Sequence, residues 1–422
     1  MTFAFNTSGN SQTTGRTKYA VSLGKLRNTI ASTTRTFNYA NRTSPNLNTT
    51  FNYLFNMPNA DPIIFNNYLT ISPFYEKNII TPNAITPNYV SSGPYTPSQI
   101  KGAYSVTNVT PISGKRAAII TIIVAYYNPY LVGDVVKFGK LFNLPPCNLK
   151  LYRFTNQFNS NWATEGTLDV QWSYSINPYA EIRVIFAASA SSTDLFNAIK
   201  FANNKNNFSP PVNTDVLSMS WGTPDTGIFS QSIYNYFTCP NTIYIASSGD
   251  YNYVSFPSSS INVVAVGGTS LKLNSDNSRN LETVWSKDGC GYSKSFSKPS
   301  WQPNIANNGL RMTADLACVA DPLTPAIVVL NGKLYTIGGT SLSAPIFAGM
   351  MSLLQQNKIN LGIQTYTSVQ NLSNTIQPKL YKNPTCFYDV TSGSSSGYRA
   401  TTGYDIPCGL GVPICNKLAS SV

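Results

Sequence analysis

Hydrophobic positions along the chain change period several times, and each change marks an element. Ala117 to Ala125 (AAIITIIVA) is a continuous apolar, β-branched run, the pattern of a strand covered on both faces. After the turn at Asn128-Pro129, Leu131, Val135, Phe138 and Phe142 recur at i, i+4, i+7 and i+11, which predicts one buried helix face. Buried strands are predicted at Ile182 to Phe186, Val216 to Met219, Ile243 to Ala246 and Val263 to Val266. Between them lie helical patterns, one from about Thr164 to Ser175 and one capped near Ser192 or Thr193 and carrying Leu195, Ile199 and Ala202. Strand alternating with helix predicts the α/β class: a doubly wound, mostly parallel sheet flanked by helices.

Residues 1–93 differ from the rest. Asn, Thr, Ser, Tyr and Phe dominate them, and Asp61 and Glu76 are their only acids. Apolar clusters at Tyr53 to Phe55 and Ile63 to Tyr68 make the stretch too hydrophobic for a plain disordered tail. It is expected to be an N-terminal extension, either a short pro-segment or a structural arm, joined by the Pro-rich stretch Ile80 to Pro97 to a main domain over 94–422. The first twenty residues lack an apolar core of signal-peptide length, so export of the usual form is not expected from them.

Composition removes whole classes of chemistry. The 422 residues contain no His, so neither a Ser-His-Asp nor a Cys-His arrangement can be built, and any general base must be another group. Charged residues are 11% of the chain, against roughly 25% in ordinary soluble proteins. The net charge of +12 reflects 17 acids against 29 bases, and those bases are scattered rather than gathered into a stripe. A nucleic-acid partner is therefore not expected. No run approaches the ~20 apolar residues of a membrane span. The seven Cys form no CxxC pair, which argues against a zinc or redox motif, and their odd number leaves at least one thiol unpaired within the chain. Nothing in these patterns specifies an oligomeric state.

In a chain so short of acids, their placement is informative. The segment Ile337-Gly-Gly-Thr-Ser341-Leu-Ser-Ala-Pro345 leads into IFAGMMSLLQQ. Its glycines allow close approach to a ligand, Pro345 suits a first helical turn, and Ala344, Phe347, Ala348, Met351 and Leu354 mark a buried face. Ser341 then stands where free backbone N–H groups can stabilise an anion, although Ser is also a common N-cap. In Thr164-Glu165-Gly-Thr-Leu-Asp169, Glu165 and Asp169 lie one helical turn apart on one face, where like charges repel. A shared proton relieves that repulsion and leaves one group able to act as a base, while a solvated helix face is the plainer alternative. Asp250 ends Ile245-Ala-Ser-Ser-Gly249-Asp250 at the carboxyl end of a predicted strand, where open α/β sheets place their sites. It serves there either as a strand-to-helix cap or, when protonated, as a donor to an oxyanion.

Together, GGTSLSAP, the ExxLD of Glu165 to Asp169, SMSWG at Ser218 to Gly222, and SSGD followed by FPSSSINVVAVGGT resemble the sedolisins. These are serine-carboxyl peptidases of subtilisin-like fold that include the tripeptidyl peptidases. The opening YTPSQIKGAY, the segments ETVWSKDGCGYS and KPSWQP, and the late CFYDV and GYD share the resemblance, which runs from about Tyr95 to Pro413. It implies Ser341 as nucleophile, Glu165 as general base, Asp169 as the carboxylate orienting it, and Asp250 as the acid assisting the oxyanion with the Ser341 amide. It likewise implies that Ser220, Trp221 and Gly222 pair with a polypeptide substrate. One Ca²⁺ would be held by Asp389, Asp405 and the carbonyls of Val390, Thr401 and Gly403.

The chain also departs from that family. Gly289-Cys290-Gly291-Tyr292-Ser293 stands where the family has a glycine triplet before a Ser, and residues 1–93 are shorter than its usual prodomain and do not resemble it. The expected function is an acid-active serine-carboxyl peptidase working through an acyl-enzyme on Ser341. The alternative is a structural or binding protein that keeps the fold without turnover.

Overall fold

In the computed structural model the run Ile119–Ala125 is a strand, β1, buried at every position. The structure describes residues 93–422 other than 230 and 306–308, together with 70–71 and 75–76. All of these belong to one unit spanning Pro58–Val422. The expected apolar clusters at 53–55 and 63–68, and most of the Pro-rich stretch from 80, lie outside the described residues.

Eight further strands are β2 (Asn148–Arg153), β3 (Glu181–Ala187), β4 (Val216–Met219), β5 (Trp221–Pro224), β6 (Ile243–Ser247), β7 (Val264–Leu273), β8 (Arg279–Val284) and β9 (Leu316–Val319). All but β5 make one sheet with β1, in the order β8-β7-β6-β4-β1-β3-β2 and with β9 beside β7. Every pair from β2 to β7 is parallel, as is β7 with β9, and only the edge strand β8 runs antiparallel. The mostly parallel sheet expected from the alternation of patterns is thus observed. Its central strands are continuous apolar runs because helices cover them.

Four helices matter to the site: α1 (Leu131–Leu141), α2 (Ser160–Ile176), α3 (Ser192–Asn203) and α4 (Thr340–Leu361). The hairpin of β10 (Ala326–Leu330) and β11 (Lys333–Gly338) feeds directly into α4. Helix α2 packs on β1 and on α4, while α4 packs on β4, β6, β7 and β9, and α3 on β1 and β3. Two expectations are corrected. Helix α2 begins at Ser160 rather than near Thr164, because the Asn159 side chain accepts from the amides of Asn161 (3.1 Å) and Trp162 (3.2 Å) and caps it there. Helix α4 has no single buried face: it is buried on every side from Thr340 to Gln356, since sheet and helix both pack against it.

Candidate active site

Helix α2 carries Glu165 and Asp169 one turn apart, and both are completely buried. The solvated-face alternative is therefore overturned: helix packing takes both acids out of water. Burial pushes the Glu165 pKa far up, the neighbouring Asp169 adds to it, the Ser341 hydroxyl pulls it back, and Asp250 adds a smaller upward push. Burial also raises Asp169, opposed by a 2.6 Å hydrogen bond that it accepts on Oδ1 from Ser220 Oγ. Two carboxyl groups so placed titrate as one unit and hold a proton near neutrality.

Ser341 comes from the sharp passage of β11 into α4. Gly339 caps the helix with φ of +118°, a conformation that a side chain would strain. The cap is thus Gly339, and Ser341 is the second residue of the helix, its N–H among those with no intrahelical acceptor. Pro345 is the sixth residue, beyond the expected first turn. Having no N–H, it leaves the Ser341 carbonyl without its usual helical donor. The Ser341 hydroxyl and both Glu165 carboxyl oxygens are buried with no hydrogen-bond partner. Ser341 lies near enough to favour the ionised form of Glu165, yet no hydrogen bond closes between them. Their approach depends on Gly349, where a Cβ would stand 2.5 Å from Ile176 Cβ and hold α4 away from α2.

Asp250 follows β6 in the stretch where Ser220 follows β4, at the carboxyl ends of adjacent strands. No helix starts after it, so the strand-to-helix capping alternative is corrected. Its Oδ1 instead accepts from the backbone N–H of Thr340 (2.7 Å) and from Thr340 Oγ1 (2.6 Å), tying the β6 loop to the head of α4. The Thr340 hydroxyl also accepts from the Gly249 amide at 3.1 Å. Burial raises Asp250 to about 7 against the pull of the Thr340 bonds, and its Oδ2 has no partner. A carboxyl group held this way carries its proton at mildly acidic pH and presents a donor.

Two contributors were not assigned from the sequence. Thr340 sits beside Ser341 in the quoted GGTSLSAP motif, and only its contact with Asp250 reveals its part. Asp288, inside ETVWSKDGCGYS, is fully buried and accepts from Ser248 Oγ (2.6 Å) and Gly268 N (3.0 Å), while its Oδ2 is unpartnered. It braces the loop carrying Asp250 from behind, and burial raises its pKa strongly. Its signal was an acid in a chain that rations them, but no spacing related it to Asp250.

Of the residues expected to bind substrate, Ser220 precedes β5 and Trp221 and Gly222 begin it. The Trp221 indole N–H donates to the Ile123 carbonyl at 2.8 Å, anchoring β5 to β1. Thr70–Ile71 pairs antiparallel with β5, Thr70 opposite Gly222 and Ile71 opposite Trp221. Tyr75–Glu76 pairs antiparallel with β11, Tyr75 opposite Gly338 and Glu76 opposite Ile337.

Away from this cluster, Asp405 accepts from the amides of Thr401 (3.0 Å) and Cys408 (2.9 Å), and Asp389 accepts from Gly403 N at 2.9 Å. Burial and the charge of Asp389 raise Asp405 to about 6 against those amides. Neither acid takes part in an ion pair among the described residues. All seven cysteines are free thiols.

Residues 157–395 match the subtilase family model, Peptidase_S8. The chain is 36% identical over 202 residues to sedolisin of Pseudomonas sp. (strain 101), a match covering 44% of this chain and 33% of that one. It is 31% identical over 295 residues to kumamolisin of Bacillus sp. (strain MN-32), covering 61% and 50%. The matches thus span a third to a half of the length of these two relatives. The solved structure of Pseudomonas sedolisin, a serine-carboxyl proteinase complexed with pseudo-iodotyrostatin, superposes with a TM-score of 0.64 at 25% identity, over 79% of this chain and 98% of that one. A His-free site of one hydroxyl among buried carboxyl groups, on this sheet and at the head of this helix, agrees with those likenesses: the chain belongs to the subtilase family, on its sedolisin branch.

Proposed function

We propose that the protein hydrolyses peptide bonds of polypeptides through an acyl-enzyme on Ser341, with mildly acidic pH favouring the reaction. The observation carrying this reading is the Ser341 hydroxyl, unpartnered and buried beside a Glu165 carboxyl that is also unpartnered. In the first step Ser341 Oγ attacks the scissile carbonyl carbon while Glu165 takes the hydroxyl proton. Asp169, fixed by Ser220, orients Glu165 and raises its affinity for that proton. Negative charge then develops on the carbonyl oxygen, and the Ser341 N–H and the protonated Oδ2 of Asp250 are its donors. Glu165 returns its proton to the leaving amine, and water repeats the sequence on the ester. The reaction needs the Glu165–Asp169 pair to have given up one of its protons, so that together they carry one charge, while Asp250 keeps its proton, and this last condition sets an upper limit near the Asp250 value of about 7.

Two carboxylates with no cationic partner among the described residues, converging on the 401–403 turn, form a hard-oxygen donor set that fits Ca²⁺. Asp389 and Asp405, with the carbonyls of Val390, Thr401 and Gly403, would hold the ion. When bound it supplies charge neutralisation that fastens the C-terminal loop. Chelation lowering the Tm, restored by added Ca²⁺, is the outcome this part of the reading requires.

Cleavage of a mixed peptide library from about pH 3 to 7, spanning the carboxyl reference values and Asp250, tests the main reading. Ser341→Ala and Glu165→Ala should each abolish it. Equal product from the variants rules out an acyl-enzyme on Ser341. The alternative of a fold kept without turnover predicts that Ser341 takes no label from an active-site fluorophosphonate.

A further inference from the structure

Gln171 stands two residues past Asp169 on α2 and is fully buried, yet no step of the proposed reaction involves it. Its side-chain amide makes two hydrogen bonds with one residue of the neighbouring hairpin. Nε2 donates to the Val329 carbonyl at 2.8 Å, and Oε1 accepts from the Val329 N–H at 2.9 Å. Trp172, next in the helix and also fully buried, donates from Nε1 to the Ile327 carbonyl at 3.1 Å, while the Ile327 N–H donates to the Tyr95 carbonyl at 3.0 Å. In an antiparallel pair only alternate residues exchange main-chain bonds, and Ile327 and Val329 turn theirs away from β11. Side chains of α2 therefore stand in for a neighbouring strand along this edge of β10. Val329 lies opposite Leu334 on β11, and β11 ends at Gly338, three residues before Ser341.

Asp169 and Gln171 stand about 200° apart around the helix. Ser220 thus holds α2 on one side and the hairpin holds it on the other. Two holds on opposite sides fix the rotation of a helix about its axis, and that rotation sets where Glu165 points. We propose that Gln171, backed by Trp172, is a positioning residue for the reaction, keying the helix of the general base to the hairpin that leads into the nucleophile. The Gln amide offers a donor and an acceptor side by side, matching the C=O and N–H of one extended residue. An apolar side chain of the same size would fill the space but leave both Val329 groups buried and unpaired, which helix and strand relieve only by moving apart. The effect on turnover rests on the peptidase reading, whereas the clamp itself can be measured without catalysis.

The test compares the native full chain with Gln171→Leu and Gln171→Glu, by hydrogen exchange and by steady-state cleavage at about pH 5, where burial keeps a carboxyl at this position protonated. In the leucine chain, exchange of the Val329 amide should rise at least about tenfold. Its kcat should fall at least about tenfold, because a small displacement of the base is costly, while KM stays within about twofold, since β5 is untouched. The neutral Glu carboxyl again presents an O–H beside an oxygen, so Gln171→Glu should recover both the exchange and the kcat. That recovery separates hydrogen bonding from mere filling of space. Should the leucine chain fail to fold, Trp172→Phe, which removes only the bond to Ile327 and keeps an aromatic ring, should shift exchange at 327–329 and kcat in the same sense. Unchanged exchange at Val329, a leucine chain with the native kcat, or a loss that Gln171→Glu does not recover overturns the proposal. A native chain that cleaves nothing would instead sink the peptidase reading, and exchange alone would then decide whether Gln171 keys the helix to the hairpin.

Discussion

Ser220 Oγ donates to Asp169 Oδ1 at 2.6 Å, so the residue leading into the outer strand β5 is tied to the acid one turn from Glu165. A single hydrogen bond thereby joins the surface expected to grip a peptide to the pair expected to move its proton. Both acids are fully buried, and the consequences for pH follow from that.

Glu165→Gln separates catalysis from stability. Burial and Asp169 raise the folded-state pKa of Glu165 above its unfolded value of about 4.3. A raised carboxyl contributes stability that is fully present below the unfolded pKa and is lost as pH rises through the folded one. The native chain should therefore lose Tm from about pH 4 towards neutrality, and Glu165→Gln should make that decline shallower. The same change should lower kcat/KM by at least about a hundredfold, the usual worth of a general base. Thermal melts at several pH values, paired with a cleavage assay, measure both. A decline as steep as in the native chain would show that Glu165 does not titrate in the fold.

Asp250→Asn addresses the opposite limb of the pH profile. Asn keeps an oxygen for the two Thr340 donors and an N–H₂ for the oxyanion, but it cannot ionise. The native rate should fall above the Asp250 value of about 7, while the variant should be slower yet show no such fall. A rate–pH profile settles the matter. An upper limb that persists in Asp250→Asn would place the titration on another group.

What could be read from the sequence divides by whether the physics is local. β1, the α1 stripe as far as Phe138, and the one-turn spacing of Glu165 and Asp169 follow from periods of a few residues and the structure reproduces them, whereas Phe142, expected to end the stripe, is the half-buried C-cap of a helix that stops at Leu141. Burial of the acid pair was not legible, because the partners that exclude water, α4 and β1, come from distant parts of the chain. The same holds for Asp250 with Thr340 and for Asp288 with Ser248, joined across 90 and 40 residues. Thr70 opposite Gly222 is more distant still, and the alternation around it, Leu69-Thr70-Ile71-Ser72, is too short before Pro73 to mark a strand or name its partner. Local preference also misplaced Pro345: it suits a first turn, but the turn begins at Thr340, where Gly339 and Asp250 fix it.

Gly349→Ala tests whether close helix packing sets the Glu165–Ser341 approach. The added Cβ would lie 2.5 Å from Ile176 Cβ, so α2 and α4 must separate. Overpacking of this kind costs about 1–3 kcal/mol, and turnover should fall as the base withdraws from the hydroxyl. Gly133→Ala in α1 is the control, because a Cβ there meets nothing within 4 Å. It should hold or raise the Tm by removing the helical penalty of glycine, up to about 1 kcal/mol. Equal Tm and turnover in the two variants would mean that the helices do not need this contact.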